Sequence, residues 1–424
     1  MSSTEHGGAA GPALRPVTVL GAGIVGICTA LSLLDRGIAV RLIDRGAPGQ
    51  ETSFGNAGVI SPWSVVPQSV PGLWKQIPGL MIGADRALSI RPRALPAMLP
   101  WGLRFLSNGR SAKVRHVSDA MEILCGPSVE LYRRHLRGTG EDDLVRDAFY
   151  IHAFRDAAAA RLDSLGYRLR REKGAEIERV DRAELQRLEP ALSRDFEAAL
   201  VIRGQARALS PGRIGKVLAD KVRTLGGEIV RAPIRTLTRA DRAWRIDCDG
   251  QSFTADTVVL ALGAWSPSLL CPLGVRPPLM AERGYHVEFP APGVEVIHSV
   301  MDVSRKIVAS SMRDGLRVAG QAEFAPVDAP PDRSKQRRLA DLARAMFPDL
   351  QDEAPRGWMG RRPSFPDSLP AIGELPGLEG LVWNFGHSHY GLMMAPKSGE
   401  IVADLLTKRL ANADISALSP ARFH

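Results

Sequence analysis

The chain has 424 residues, enough for two or three domains at roughly 100 to 200 residues each, which excludes a peptide hormone or a disulfide miniprotein. Hydrophobic residues at 45%, charged residues at 24%, 41 Gly and 31 Pro describe a folded globular chain rather than a disordered or collagen-like one. The net charge of +9 comes almost wholly from Arg, since only nine of the 55 basic residues are Lys; it suits anionic partners, and without a basic block interleaved with aromatics nucleic acid is not among them.

Residues 1–14 are small, polar and rich in Gly and Ala, and read as a loose tail without the basic and apolar regions of a secretion signal. Cys28, Cys125, Cys248 and Cys271 stand far apart with no C-x-x-C, so neither a zinc ribbon nor a disulfide framework is expected. The expected setting is cytoplasmic, with peripheral attachment to the inner face of the cell membrane as the alternative.

In 17–45, VTVLGAGIVGICTALSLLDRGIAVRLIDR, the period changes twice. A short β-rich run precedes GAGIVG, helical spacing follows at Ile24, Cys28, Leu31 and Leu34, and Gly37 ends it before a second strand at 39–43. A G-x-G-x-x-G alone is weak evidence. Here it follows a strand, opens a helix, and precedes Asp44 at the end of the next strand, the context a dinucleotide site requires. Gly21 permits the turn, Gly23 lets backbone approach a pyrophosphate, Gly26 lets helix and strand pack, and Asp44 accepts from the ribose. The fingerprint leaves NAD and FAD open, and no second copy of it exists.

ETSFGNAGVISP, 51–62, is a polar, Gly-rich segment leaving the second strand. Residues 63–107 carry many Pro together with Trp63, Trp74 and Trp101; they read as a capping subdomain, or alternatively as a mobile or membrane-facing lid. Residues 108–137 look helical, with Val114, Val117, Met121, Leu124 and Leu131 as an interior stripe. In 209–230, Ser210-Pro211 reads as an N-cap with Pro at the first helical position and Gly226-Gly227 as the stop. Alternation at 285–289 and the runs 306–310 and 316–319 suggest an antiparallel sheet, and 328–338 a solvated loop entering a helix.

With its GAGIVG, IDR and ETSFGNAGVISP series, TVVLALGAW at 257–265, LSPGRIGKVLADKVRTLGGEIV, and the closing WMGRRPSFPDSLPAIG and FGHSHYGLMM, the chain resembles the FAD-dependent oxidoreductases of the D-amino-acid oxidase superfamily, D-amino-acid dehydrogenase-like branch. The resemblance runs in order from about residue 17 to 407. It implies an α/β protein with a Rossmann-like FAD-binding domain and a second antiparallel-sheet substrate or capping domain. The FAD domain is then discontinuous, at 15–62, 192–268 and 355–410; 63–191 and 269–354 form the substrate domain, and 411–424 a C-terminal tail.

The resemblance also implies site residues. For FAD these are Gly21, Gly23, Ile24, Val25, Gly26, Asp44 and Arg45; then Ser53, Asn56, Ala57, Gly58 and Val59; then Ala261, Gly263 and Trp265; and finally Arg361, Gly386, Gly391, Leu392, Met393 and Met394. Arg362, which directly precedes Pro363, is the expected substrate-carboxylate residue, because a guanidinium can hold a carboxylate bidentately. Tyr285, a phenol above the flavin, and His387 join it as catalytic candidates, and His389 and Tyr390 as substrate-binding ones. An ion pair for Arg362 and a plain strand position for Tyr285 are the competing structural readings. His387 and His389 lack a third ligand for a metal. No Cys lies near the closing segment, so FAD is expected to be non-covalent.

The implied reaction passes a hydride from the substrate Cα to flavin N5, on a D-amino acid or a cyclic D-imino acid of the 4-hydroxy-D-proline type. The alternatives are a secondary-amine oxidase of the sarcosine, glycine or opine type releasing hydrogen peroxide, and a flavin-bound assembly subunit without turnover. The electron acceptor stays open between a quinone or other respiratory carrier and oxygen.

Overall fold

The computed structural model describes residues 15–82, 87–351, 354–409 and 413–423; the expected N-terminal tail lies outside the described residues. The first sheet has six strands in the order Ala371–Glu374, Leu381–Phe385, Val258–Leu260, Val17–Leu20, Val40–Asp44 and Glu228–Arg231, all parallel to their neighbours except the first. Both faces are covered, as a parallel sheet needs. Alternate side chains prove it: Val19, Leu42, Val259 and Val382 pack with the helices Ile24–Leu34, Pro211–Thr224 and Gly391–Leu406. Leu20, Ile43, Leu260 and Trp383 face a small antiparallel sheet, 234–255, through Trp244 and Ile246. Ser210 caps its helix as expected, its side chain accepting from the Arg213 amide.

The second sheet is ten-stranded. Its main path runs Arg356–Ser364, Met280–Phe289, Gly315–Phe324, Ile307–Met312, Ser299–Asp302, Val145–Phe154, Ala198–Ala208 and Val59–Ile60. It is largely antiparallel, and period-2 alternation again divides the strands. Ile151, Val300, Ala309, Val318, Tyr285 and Val287 pack against the helix Arg333–Met346 through Leu339, Ala343 and Met346. Tyr150, His152, Met301, Val308, Ala319, Gln321 and Glu282 line a cavity.

Pairing revises the expected boundaries. Ala198–Ala208 and Arg356–Ser364, assigned by sequence to the nucleotide domain, hydrogen-bond into the ten-stranded sheet. Residues 108–137 form two helices, Ser111–Cys125 and Ser128–Leu136, separated at Gly126-Pro127; their Val117, Met121, Leu124 and Tyr132 join the core of the nucleotide-binding half rather than a cap. Nor are 413–423 a tail: Leu418 is fully buried, Arg422 pairs with Asp367 at 2.7 Å, and Phe423 stacks on Phe365. The loop before Arg333 is more than a solvated approach, because the carbonyls of Ala329 and Pro330 accept from the buried Arg283 guanidinium at 2.9 Å.

Candidate active site

A cavity of about 1280 Å³ extends from the first turn of the six-stranded sheet to the exposed face of the ten-stranded sheet. At one end stand Gly21, Gly23, Ile24 and Val25. The helix Ile24–Leu34 begins here with Gly23 as N-cap and no side-chain capping bond, leaving its first amides for an anion. A Cβ on Gly21 or Gly26 would collide with backbone, 2.5 Å from the Ala261 oxygen and 1.9 Å from the Gly21 oxygen respectively; one on Gly23 would meet nothing within 4 Å and project into open space. That cradle fits a pyrophosphate. The Asp44 carboxylate accepts from the Ala22 amide at 2.7 Å and the Gly46 amide at 2.8 Å, so it braces the glycine turn as well as facing the cavity. Burial pushes this carboxyl above its usual value despite those two bonds.

The remaining expected cofactor residues divide. Arg45, Ser53, Asn56, Ala57, Val59, Ala261, Gly263, Trp265, Gly386, Gly391, Leu392 and Met393 line the cavity. The last three open the helix Gly391–Leu406, whose N-terminal amides can receive negative charge, and Tyr132 holds them in place by donating to the Leu392 carbonyl at 2.6 Å. Gly26, Gly58, Arg361 and Met394 stand behind this wall. Gly58 makes a tight turn with φ +83°, its amide donating to Asn56, and Met394 is a fully buried core residue. Arg361, one residue out of phase with the cavity face, donates to the Val327 carbonyl and lies 5.3 Å from the centre of the Trp265 ring. None of the four cysteines lines the cavity.

On the substrate side, the antiparallel register of Met280–Phe289 with Arg356–Ser364 sets Glu282 opposite Arg362 and Gly284 opposite Gly360. Arg362 Nη1 donates to Glu282 Oε1 at 3.0 Å and to the Gln321 carbonyl at 3.1 Å. The rest of the guanidinium lies over Gly284, where a Cβ would come within 2.2 Å of it, so glycine is required for this pose. His389 Nε2 reaches the same Glu282 oxygen at 2.9 Å, and its Nδ1 meets the Gln68 side-chain amide. Burial would raise the Glu282 carboxyl, but His389 and Arg362 outweigh it and hold it at about 2, so Glu282 is an anion throughout the physiological range. Burial lowers the His389 imidazole below its usual value. With Nε2–H facing a carboxylate and Nδ1 facing an amide, neither ring nitrogen is left to act as a base.

Glu282 was not a sequence candidate, since only strand pairing brings it beside Arg362. Glu282, Gly284 and Tyr285 all border the cavity, but the Tyr285 ring also packs in the core with Val287 and Phe289, and its hydroxyl donates to Glu323 at 2.6 Å and accepts from the Asp332 amide at 3.1 Å. The expected free phenol above the flavin is therefore engaged elsewhere. His387 is buried against Ser398 Oγ at 3.1 Å, and burial drives its imidazole down to about 3, so it stays neutral. Tyr390 lines the cavity and donates to the Val66 carbonyl at 2.9 Å. Among the described residues no group of three metal-ligating side chains is present.

A family model described as FAD dependent oxidoreductase matches residues 16–405. The D-amino-acid oxidase of Bradyrhizobium diazoefficiens is 34% identical over 420 residues, covering 97% of this chain and all of that one. The D-amino acid dehydrogenase of Paramagnetospirillum magneticum is 34% identical over 428 residues, covering 96% and 98%. Among solved structures, the glycine oxidase of Geobacillus kaustophilus superposes with a TM-score of 0.72 at 21% identity, covering 96% of this chain and 98% of that one. The L-proline dehydrogenase of P. horikoshii does so with 0.75 at 20%, covering 97% and 98%. The two structures are similar in fold.

Proposed function

The chain belongs to the family of FAD dependent oxidoreductases, and on that premise we propose that this amine oxidoreductase oxidises a D-amino acid or a cyclic D-imino acid at Cα. The observation that carries the reading is the pairing of Arg362 with Glu282 on the cavity face, a fixed cation and anion side by side. A zwitterionic amino acid is complementary to that pair, its carboxylate toward the uncommitted edge of the guanidinium and its amine toward Glu282.

FAD, which Gly21, Gly23, Asp44 and the start of the helix Gly391–Leu406 would hold, would supply the acceptor for the hydride that Cα gives up. The amine lone pair closes the C=N bond, and water then converts the iminium of a primary amine to the keto acid and ammonia. Glu282, held near 2, is too weak a base to deprotonate the substrate. Its role is to orient the amine, and His389 with Gln68 positions Glu282. The ammonium of the zwitterion gives one proton to solvent water before the hydride leaves Cα, so no side chain of this cluster takes it. FAD is held without a covalent bond, so acid precipitation should release it intact.

The 4-hydroxy-D-proline type of substrate rests on the likeness of WMGRRPSFPDSLPAIG to the dehydrogenase-like branch. Anaerobic mixing of the flavin-loaded protein with D-amino acids, D-proline, 4-hydroxy-D-proline, sarcosine and glycine tests it: D-substrates should bleach the visible flavin band. Bleaching only by sarcosine or glycine favours the secondary-amine oxidase, and bleaching by none favours the assembly subunit.

One observation supports the membrane-facing reading of 63–107. The helix Leu95–Ser107 borders the cavity, yet Leu99 and Leu103 are 65% and 71% exposed, as are Trp74 and Ile82 nearby at 61% and 81%. No helix of the described residues is long and apolar enough to cross a membrane. Attachment would be peripheral, giving a lipid-soluble quinone a route to the cavity. Co-sedimentation with anionic vesicles, lost in Leu99→Ser/Leu103→Ser, is the expected result.

A further inference from the structure

Five cationic side chains line the cavity, and three are neutralised: Arg45 by Glu51 at 2.8 Å, Arg235 by Asp249 at 2.6 Å, and Arg362 by Glu282 at 3.0 Å. Arg170 and Lys306 have no carboxylate within ion-pair distance among the described residues. Arg170 projects from the helix Leu165–Glu172. It is tethered only to backbone, Nε donating to the Trp63 carbonyl and Nη1 to the Gly166 carbonyl, both at 3.1 Å. Nη2 has no such bond.

Phenols surround this guanidinium. Tyr167 lies 5.6 Å from it, the His152 ring that Tyr167 meets lies 4.5 Å from the Tyr150 ring, and Tyr150 and Tyr390 line the cavity with Arg170. Two of the three hydroxyls are engaged, Tyr167 with His152 Nδ1 at 2.8 Å and Tyr390 with the Val66 carbonyl. The Tyr150 hydroxyl has only the Met301 sulfur at 3.5 Å, a poor acceptor, and remains available as a donor. Lys306 sits exposed on the same cavity wall. A partly buried guanidinium without a counter-charge, beside a hydroxyl without a good acceptor, is an arrangement completed by an anion.

We propose that Arg170 and Tyr150 form a second carboxylate subsite, and that the preferred substrates are amino or imino acids bearing a second, distal carboxylate. The inference rests on the amino-acid reading above. It places the α-carboxylate and amine at Arg362 and Glu282 and the distal acid at Arg170. The loop between connects the two: His389 touches Glu282, and the Tyr390 ring lies 6.3 Å from the His389 ring.

The test compares acid with amide on the flavin-loaded protein. D-Glutamate should exceed D-glutamine, or D-aspartate exceed D-asparagine, by about ten- to a hundredfold in kcat/KM, the range of a charge-assisted hydrogen bond. Arg170→Met should bring that ratio to near one. Tyr150→Phe, which removes one weakly bonded hydroxyl and spares the backbone tethers, should lower it severalfold. Equal rates for acid and amide in the unaltered protein, a ratio unchanged by Arg170→Met, or an equal fall for both substrates would overturn the proposal. Titration with glutarate and butyrate, read by perturbation of the flavin spectrum, separates this from failure of the amino-acid reading. If no amino acid bleaches the flavin, glutarate should still bind at least tenfold more tightly than butyrate, and the advantage should vanish in Arg170→Met; equal binding of the two would refute the subsite.

Discussion

The two ends of the cavity were built by different means. At the nucleotide end a stretch of 28 residues, from Val17 to Asp44, supplies the strand, the turn, the anion-accepting helix start and the carboxylate that braces them. At the substrate end Glu282, Arg362, His389 and Gln68 come from four separated segments, and meet only because strands pair in one register and a loop folds over them. The first kind of site is specified locally, and tolerates little at its glycines. The second is specified by long-range pairing, and its residues acquire meaning only from their neighbours across the sheet.

The glycines give the largest expected contrast. Gly26→Val drives side-chain atoms into the Gly21 carbonyl, a backbone group that cannot move aside, and should cost about 3 kcal/mol or more of stability, leaving little folded, flavin-loaded protein. Gly23→Ala meets nothing in the protein, so thermal unfolding of the flavin-free form should be nearly unchanged while flavin content falls. Equal damage from both changes would erase the distinction between packing and ligand contact.

Glu282→Gln should cost about 2 kcal/mol in kcat/KM, because the amine loses its anion and Arg362 its counter-charge. With its folded-state carboxyl at about 2, below the ordinary unfolded value, Glu282 contributes stability that is present above that ordinary value and lost as pH falls toward 2. Thermal stability of the unaltered protein should therefore fall more steeply on acidification than that of Glu282→Gln. Asp44→Asn, which sets an amide donor against a backbone donor at Ala22 or Gly46, should weaken flavin retention on dialysis by about 1 kcal/mol. The smallest effect belongs to Tyr285→Phe: about 1 kcal/mol of stability from the lost bond to Glu323, with KM barely changed. A large rise in KM would restore Tyr285 to the substrate site.

These contrasts track what was legible beforehand. The glycine turn, Asp44 and the Ser210 cap could be read from the chain because their physics is local. Arg362 was legible through its place before Pro363, but its partner was not, since Glu282 lies 80 residues away and gains its role from the register of one strand pair. For Tyr285 the cavity position was legible but the partners of its hydroxyl were not, since Glu323 comes from the neighbouring strand and Asp332 from the loop before Arg333. Residues 111–136 misled, an apolar stripe giving no address for the surface it covers.

The central claim is that Arg362 receives the substrate carboxylate, and the direct measurement is a cycle of kcat/KM for an amino acid and its methyl ester in the unaltered protein and in Arg362→Lys, which keeps the charge but loses the fork. Either change alone should cost about 1.5 to 3 kcal/mol, the ester should lose little further in the variant, and flavin content should stay unchanged. An ester that reacts as well as the acid in the unaltered protein, or an Arg362→Ala variant that oxidises the acid normally, would contradict it.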